Sequence, residues 1–138
     1  MSYLDPSRRA IITDRLLASP VAVRLGLRLE ASGRHPWHLR LPFDAANVTE
    51  GTMVHGGVIA TLIDVVAVAG SVAATRETPS AGATANLAIT YLAPADGCDL
   101  IATPRSLRAG KRQHVVRVEV TDPDGCEIAE ALATVLLS

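Results

Sequence analysis

A chain of 138 residues, half of them hydrophobic and a fifth charged, has the size of one domain and enough apolar residues for a core of its own. Thirteen Lys and Arg against fourteen Asp and Glu leave a formal net charge of −1, so no global field draws nucleic acid or an anionic membrane. One Trp, two Tyr and one Phe are too few for a base-stacking platform, and the core falls to Ala, Val, Leu and Ile.

The first nineteen residues carry Asp5, Arg8, Arg9, Asp14 and Arg15 and no apolar stretch, unlike a secretory leader. A cytoplasmic location is therefore expected. Asp5 suits a helix N-cap and Pro6 the first helical position, which predicts a helix over 5–18 that Ser19-Pro20 ends. Residues 25–31 and 37–42 alternate apolar with polar side chains (Leu27, Leu29, Ala31; Trp37, Leu39, Leu41). Gly33 and Pro36 flank the turn between them, and the pair reads as two antiparallel strands.

The longest apolar stretch runs from Val58 to Ala74 and is broken only by Thr61, Asp64, Gly70 and Ser71. It is too long for a strand. It is slightly short for a membrane span, holds a carboxylate near its middle and has no flanking anchors. A segment apolar nearly all round is a buried helix, expected over 56–75. Four strands follow, over 83–92, 99–108, 113–121 and 127–137. Ala109-Gly110 and Asp122-Pro123-Asp124-Gly125 supply turns between them. Strands gathered round one buried helix make an α+β domain with an antiparallel sheet on a central helix. One domain is expected, with an N-terminal helix over 1–19 and the core over 20–138. Cys98 and Cys126 form no Cys-x-x-Cys pair and no His/Cys spacing fits zinc, so two buried reduced thiols and no metal are expected.

Asp64 carries the strongest chemical signal. An ionised carboxylate in an apolar helix is costly unless it is paired or belongs to a site, where it can serve as base or nucleophile. His55-Gly56-Gly57 stands just before the helix. It reads either as a plain glycine turn or as a helix start whose free N–H groups stabilise an oxyanion; His55 is structural on the first reading. Gly56 and Asp64 lie eight residues apart, about 12 Å along a helix, so they cannot both touch one carbonyl within a subunit. Antiparallel helices in a two-fold dimer would bring Gly56 of one chain to Asp64 of the other, twice. Arg108, Lys111 and Arg112 cluster at a strand turn, as a solvated hairpin tip or as a phosphate contact. The chain has no Gly-x-Ser-x-Gly elbow, no phosphate-binding Gly-x-x-x-x-Gly-Lys loop and no Gly-x-Gly-x-x-Gly.

The stretch from His55 to Asp64, the segment Thr84-Ala85-Asn86-Leu87-Ala88-Ile89-Thr90-Tyr91-Leu92-Ala93-Pro94-Ala95 and the last hairpin, Asp122 to Gly125 with Ile128 to Ala131, resemble hotdog-fold acyl-CoA thioesterases of the PaaI-like (phenylacetyl-CoA thioesterase) type. The resemblance covers roughly residues 20–137. It implies a long curved antiparallel sheet wrapped round the central helix, in homodimers or homotetramers with active sites at the dimer interface. It implies hydrolysis of an acyl-CoA, with Asp64 as base or nucleophile, Gly56 N–H polarising the thioester carbonyl and His55 positioning it. Thr84 matches a position that often holds a hydroxyl near the attacking water. Gly57, Arg108, Lys111 and Arg112 would contact substrate, the cations near its phosphates. No separate cofactor is implied, since coenzyme A is part of the substrate, and neither nucleic acid nor membrane insertion. Where the family often has Asn six residues before the His, this chain has Thr49. Asn47 lies eight residues before His55 in a loop two residues longer, and Glu50 in that loop is either a second carboxylate or solvated.

Three rivals differ in what they leave unused. A hotdog domain that only holds an acyl-CoA or acyl group would bind without releasing thiol. A hotdog hydratase would carry Asp and His on the helix itself, and this helix has no His after position 55. An interaction module would give Asp64 no role.

Overall fold

The computed structural model describes residues 4–32 and 35–138. Asp5 caps α1 (Pro6–Ile11) by accepting from the N–H groups of Ser7 (2.9 Å) and Arg8 (3.3 Å), with Pro6 in the first turn. The helix then widens into a π-type turn (Ile12–Leu16), in which Leu17 N–H reaches Ile12 O at 2.9 Å and Ile12 is fully buried.

Ser19-Pro20 ends this helix and also starts another. Pro20 is the first residue of α2 (Pro20–Leu25), and Gly26 closes it at φ +71°, a left-handed conformation suited to glycine. The strand expected from Leu25 therefore begins only at β1 (Arg28–Ser32). It pairs with β2 (His35–Leu41), with Arg28 opposite Arg40 and Glu30 opposite His38. Gly33 lies outside the described residues. Pro36 belongs to β2 rather than to the turn, and it is tolerated because β2 pairs with its next neighbour only at Leu39–Leu41.

A 3₁₀ turn (Ala45–Asn47) and two short strands absent from the sequence expectation, β3 (Val48–Glu50) and β4 (Met53–Val54), lead to α3 (Gly56–Ala74). The remaining strands fall within one residue of expectation: β5 (Gly82–Tyr91), β6 (Leu100–Ala109), β7 (Gln113–Thr121) and β8 (Glu127–Leu137). They form an antiparallel sheet in the order β1-β2-β6-β7-β8-β5, and α3 lies across it.

By length and composition α3 could cross a membrane, yet half of it is buried here against the sheet. Ile59, Leu62, Ile63, Val66 and Ala67 meet the inward side chains Val116, Val118 and Val120 of β7 and Ala131, Ala133 and Val135 of β8 in one core. The opposite face of α3 and most of edge strand β5 face outward. Cys98 is half-buried and Cys126 is exposed, contrary to expectation. Cys126 closes the Asp122–Gly125 turn with its N–H on Asp122 Oδ1, so its side chain lies outside the core.

His114 of β7 is fully buried, and neither ring nitrogen has a partner among the described residues. Burial holds its imidazole below the ordinary value of 6.5. As the pH falls through 6.5, the unfolded chain takes up a proton that the folded chain refuses. Stability from this group is thus complete above 6.5 and declines below it until the folded ring itself protonates. His114→Leu is expected to lose less stability than wild type between neutral and mildly acidic pH. Urea unfolding at both pH values checks this, and equal losses in the two proteins would contradict it.

Candidate active site

The start of α3 has its backbone donors almost fully assigned. His55 is the N-cap, and its own N–H donates to Asn47 O at 2.8 Å. Its side chain turns back over the helix, so that Nδ1 accepts from Gly57 N–H at 2.8 Å. The N–H groups of Val58 and Ile59 both reach His55 O, at 3.0 and 3.2 Å. Among the described residues, Gly56 N–H alone in this first turn has no acceptor. The second glycine makes the cap possible, since a Cβ at Gly57 would sit 2.9 Å from Cε1 and Nδ1 of the His55 ring.

The longer loop before the helix folds back on itself. Val48 pairs with Val54, which returns Asn47 to the helix start despite its eight-residue distance from His55. Asp44 caps the preceding turn through Ala46 N–H at 2.8 Å. The far end of the loop is pinned by Val54 N–H to Ala95 O (2.9 Å), Gly97 N–H to Thr52 O (2.9 Å) and a Thr52–Asp96 side-chain bond. Glu50 is exposed.

Asp64 sits two turns into α3, on the face the sheet leaves uncovered, and is half-buried. Thr84 Oγ1 donates to its Oδ1 at 2.6 Å. A bulge in β5 between Thr84 and Asn86 locally breaks the pairing with β8 just beside this contact. Asp64, Thr84, Ala60, Thr61, Ala85, Asn86 and Leu87 line an open groove of about 410 Å³. The structure thus brings Asp64 to Thr84, and His55 to Gly56, Gly57 and Asn47. It keeps the two groups apart by the length of helix between them, about 12 Å.

The cations stand elsewhere. Arg108 is the last residue but one of β6, and Lys111 and Arg112 form the turn after it, beside Thr75 and Glu77 past the C-terminal end of α3. Thr75 is eleven residues beyond Asp64, roughly 16 Å along the axis, so they do not touch the carboxylate of their own chain. A larger cavity of about 500 Å³, between Trp37, Gly70 and Pro104, contains none of these residues. No group of His, Cys, Asp or Glu among the described residues could hold a metal.

One participant was missed from the sequence. Tyr91, at the end of β5, donates its hydroxyl to Gly56 O at 2.7 Å. It lies inside the segment that carries the resemblance, but nothing in a linear reading places its hydroxyl at a helix start 35 residues earlier.

The family model described as the thioesterase superfamily matches residues 51–129, from the loop before α3 into β8. The chain belongs to the thioesterase superfamily. Over 98 residues it is 37% identical to the medium/long-chain acyl-CoA thioesterase YigI of Salmonella typhimurium, covering 62% of this chain and 63% of that protein. The chain therefore spans less than two thirds of the length of that curated relative. A Bacillus halodurans protein solved with CoA is 26% identical and superposes with a TM-score of 0.77, over 96% of this chain and 91% of its own. The Escherichia coli PaaI protein from the phenylacetic acid degradation operon superposes with a TM-score of 0.80 at 18% identity, over 99% and 96%. That likeness is one of fold. The α+β hotdog architecture expected of this thioesterase-superfamily chain, a sheet wrapped round one long helix, is the one observed.

Removing the Thr84 hydroxyl leaves the Asp64 carboxylate one donor short. Thr84→Val is expected to cost about 1.5 kcal/mol, at the low end for a bond to a charged group because water reaches the site. Thr84→Ser should restore most of it. Urea denaturation of the three proteins checks this, and a Val variant as stable as wild type would show that the bond contributes nothing.

Proposed function

We propose that this chain hydrolyses acyl-CoA thioesters to a free acid and CoA, at sites shared between two copies in a homodimer. The observation that carries the reading is the Gly56 N–H at the start of α3, without an acceptor among the described residues, together with a Thr84-held carboxylate two turns along the same helix. An acyl-CoA substrate is favoured by the name of the YigI relative and by the CoA bound to the Bacillus halodurans protein.

Gly56 N–H, at the positive end of the helix, stabilises the negative charge that develops on the thioester oxygen. His55 and Asn47 border the same carbonyl. Asp64 of the other subunit takes a proton from water as its oxygen attacks the carbonyl carbon, and Thr84 orients the carboxylate. The tetrahedral species collapses by breaking the C–S bond, and the proton held by Asp64 leaves with the CoA thiolate. Direct attack by the carboxylate, through an anhydride that water then opens, uses the same residues.

The second copy follows from the 12 Å between Gly56 and Asp64. Two features favour it. Strand β5 is a sheet edge with open backbone donors and acceptors, and the outward face of α3 carries half-buried Val65 and Val68 beside Asp64. Pairing along β5 sets the two helices antiparallel. Arg108, Lys111 and Arg112 then stand beyond Asp64 in the direction of the CoA phosphates, with Gly57 beside the thioester. The dimer is the minimal unit, tetramers are pairs of dimers, and the protein works in the cytoplasm.

Thiol release from a panel of aryl, short-chain and medium-chain acyl-CoAs tests the reading. Asp64→Asn is expected to reduce kcat on the best substrate by about 10²- to 10⁴-fold with the fold and oligomer intact. A variant with near-wild-type rates removes Asp64 from the mechanism. Binding of CoA esters without release by wild type would instead make the protein an acyl-CoA binder. Mixing Asp64→Asn with His55→Ala subunits tests the sharing of sites, because a mixed dimer contains one site free of both substitutions. Activity well above either variant alone is expected after the subunits are exchanged; no recovery would place each site within one chain.

A further inference from the structure

Tyr91, the Gly56–Gly57 peptide and His55 form one continuous hydrogen-bonded chain. The Tyr91 hydroxyl donates to Gly56 O at 2.7 Å, and the N–H at the other end of that same peptide, on Gly57, donates to His55 Nδ1 at 2.8 Å. A carbonyl in the first turn of an α-helix already belongs to the helix's own ladder, so the bond from Tyr91 is additional to it. Donation to a peptide oxygen polarises the peptide and strengthens the bond its N–H makes. A ring nitrogen that accepts carries no hydrogen, so in neutral His55 the hydrogen is on Nε2.

We infer that Tyr91 is a positioning residue: through the Gly56–Gly57 peptide it holds His55 in the Nε2–H form, so that the helix start offers a second donor, His55 Nε2–H, beside Gly56 N–H. This rests on the thioesterase reading above and assigns the part that His55 plays in it. The imidazole acts as a neutral donor to the developing oxyanion and not as the base, since the nitrogen that could take a proton is occupied by Gly57. The arrangement also explains why the second residue after His55 is glycine. A Cβ on Gly57 would run into the ring at 2.9 Å, and a Cβ on Gly56 would lie against the Tyr91 ring at 3.5 Å. Only the first of these displaces a member of the chain. His55 is exposed, and among the described residues only this hydrogen-bonded chain selects one ring form over the other.

The experiment combines kinetics with nitrogen NMR on the full chain. At about pH 8, above the ordinary imidazole titration, long-range ¹H–¹⁵N correlations should show His55 Nδ1 unprotonated and Nε2 protonated. His55 is identified among the four histidines by its loss in His55→Gln. Tyr91→Phe, which keeps the ring and removes only the hydroxyl, should shift the His55 signals toward a mixture of the two forms. It should also lower kcat roughly two- to ten-fold with KM unchanged, the signature of an interaction used in the transition state. Gly57→Ala should displace the ring and lose the selection of tautomer altogether. An Nδ1–H form in wild type, or Tyr91→Phe with unchanged kcat and unchanged His55 signals, overturns the inference. Asp64→Asn with wild-type rates overturns the thioesterase site instead, while the NMR measurement still decides the chain from Tyr91 to His55.

Discussion

A helix that is apolar on nearly every side needs cover on every side, and the sheet of one chain supplies it on one. Strands β6, β7 and β8 bury Ile59, Leu62, Ile63, Val66 and Ala67 of α3, and leave Gly57, Ala60, Thr61, Asp64 and Val65 toward the outside. The uncovered stripe is the one place on α3 where a carboxylate keeps access to water and to a hydroxyl donor. Fold and candidate site thus share a cause: the chemistry stands where the wrapping of the helix is incomplete. The same incompleteness leaves β5 as an open edge beside Asp64 and its groove.

Much of this could be read from the chain. The central helix and the four strands after it lie within a residue of expectation, because long periodic segments between strong turn signals constrain their own ends. The errors have identifiable origins. Leu25, Leu27 and Leu29 alternate like a strand, yet Pro20 and Gly26 bracket a helix, and the brackets prevailed for the first of those residues. Pro36 looked like a turn residue, and a strand with one partly free side accepted it. Strands as short as Val48–Glu50 and Met53–Val54 carry too few residues for a period to be visible.

The candidate site divides in the same way. Asp64 was conspicuous because a carboxylate is out of place in its surroundings, and His55-Gly56-Gly57 because glycines before an apolar helix mark an accessible start. The donor to Asp64 came only through family resemblance. Its partner relation to Thr84 spans twenty residues and sits beside a bulge, for which no local signal was read. The place of Arg108, Lys111 and Arg112 was illegible for a similar reason. A hairpin turn announces itself in sequence, but the end of the helix on which it lands is decided by strand order.

The loop before α3 has a zipped stem, and Thr52 beside its tip is held to Asp96 and Gly97 after β5. Val48 opposite Val54 closes the base, Asn47 O holds His55 N–H just below it, and Gly51 at the tip takes a positive φ with open space where a Cβ would stand. Length added at Gly51, the open position of the tip, is taken up above the stem and does not reach the histidine. A segment built in this way uncouples the span of the chain from the geometry of the helix start. Asn47, eight residues before His55, still meets it because the intervening residues fold into a hairpin, whose height can vary while the start of α3 stays where it is.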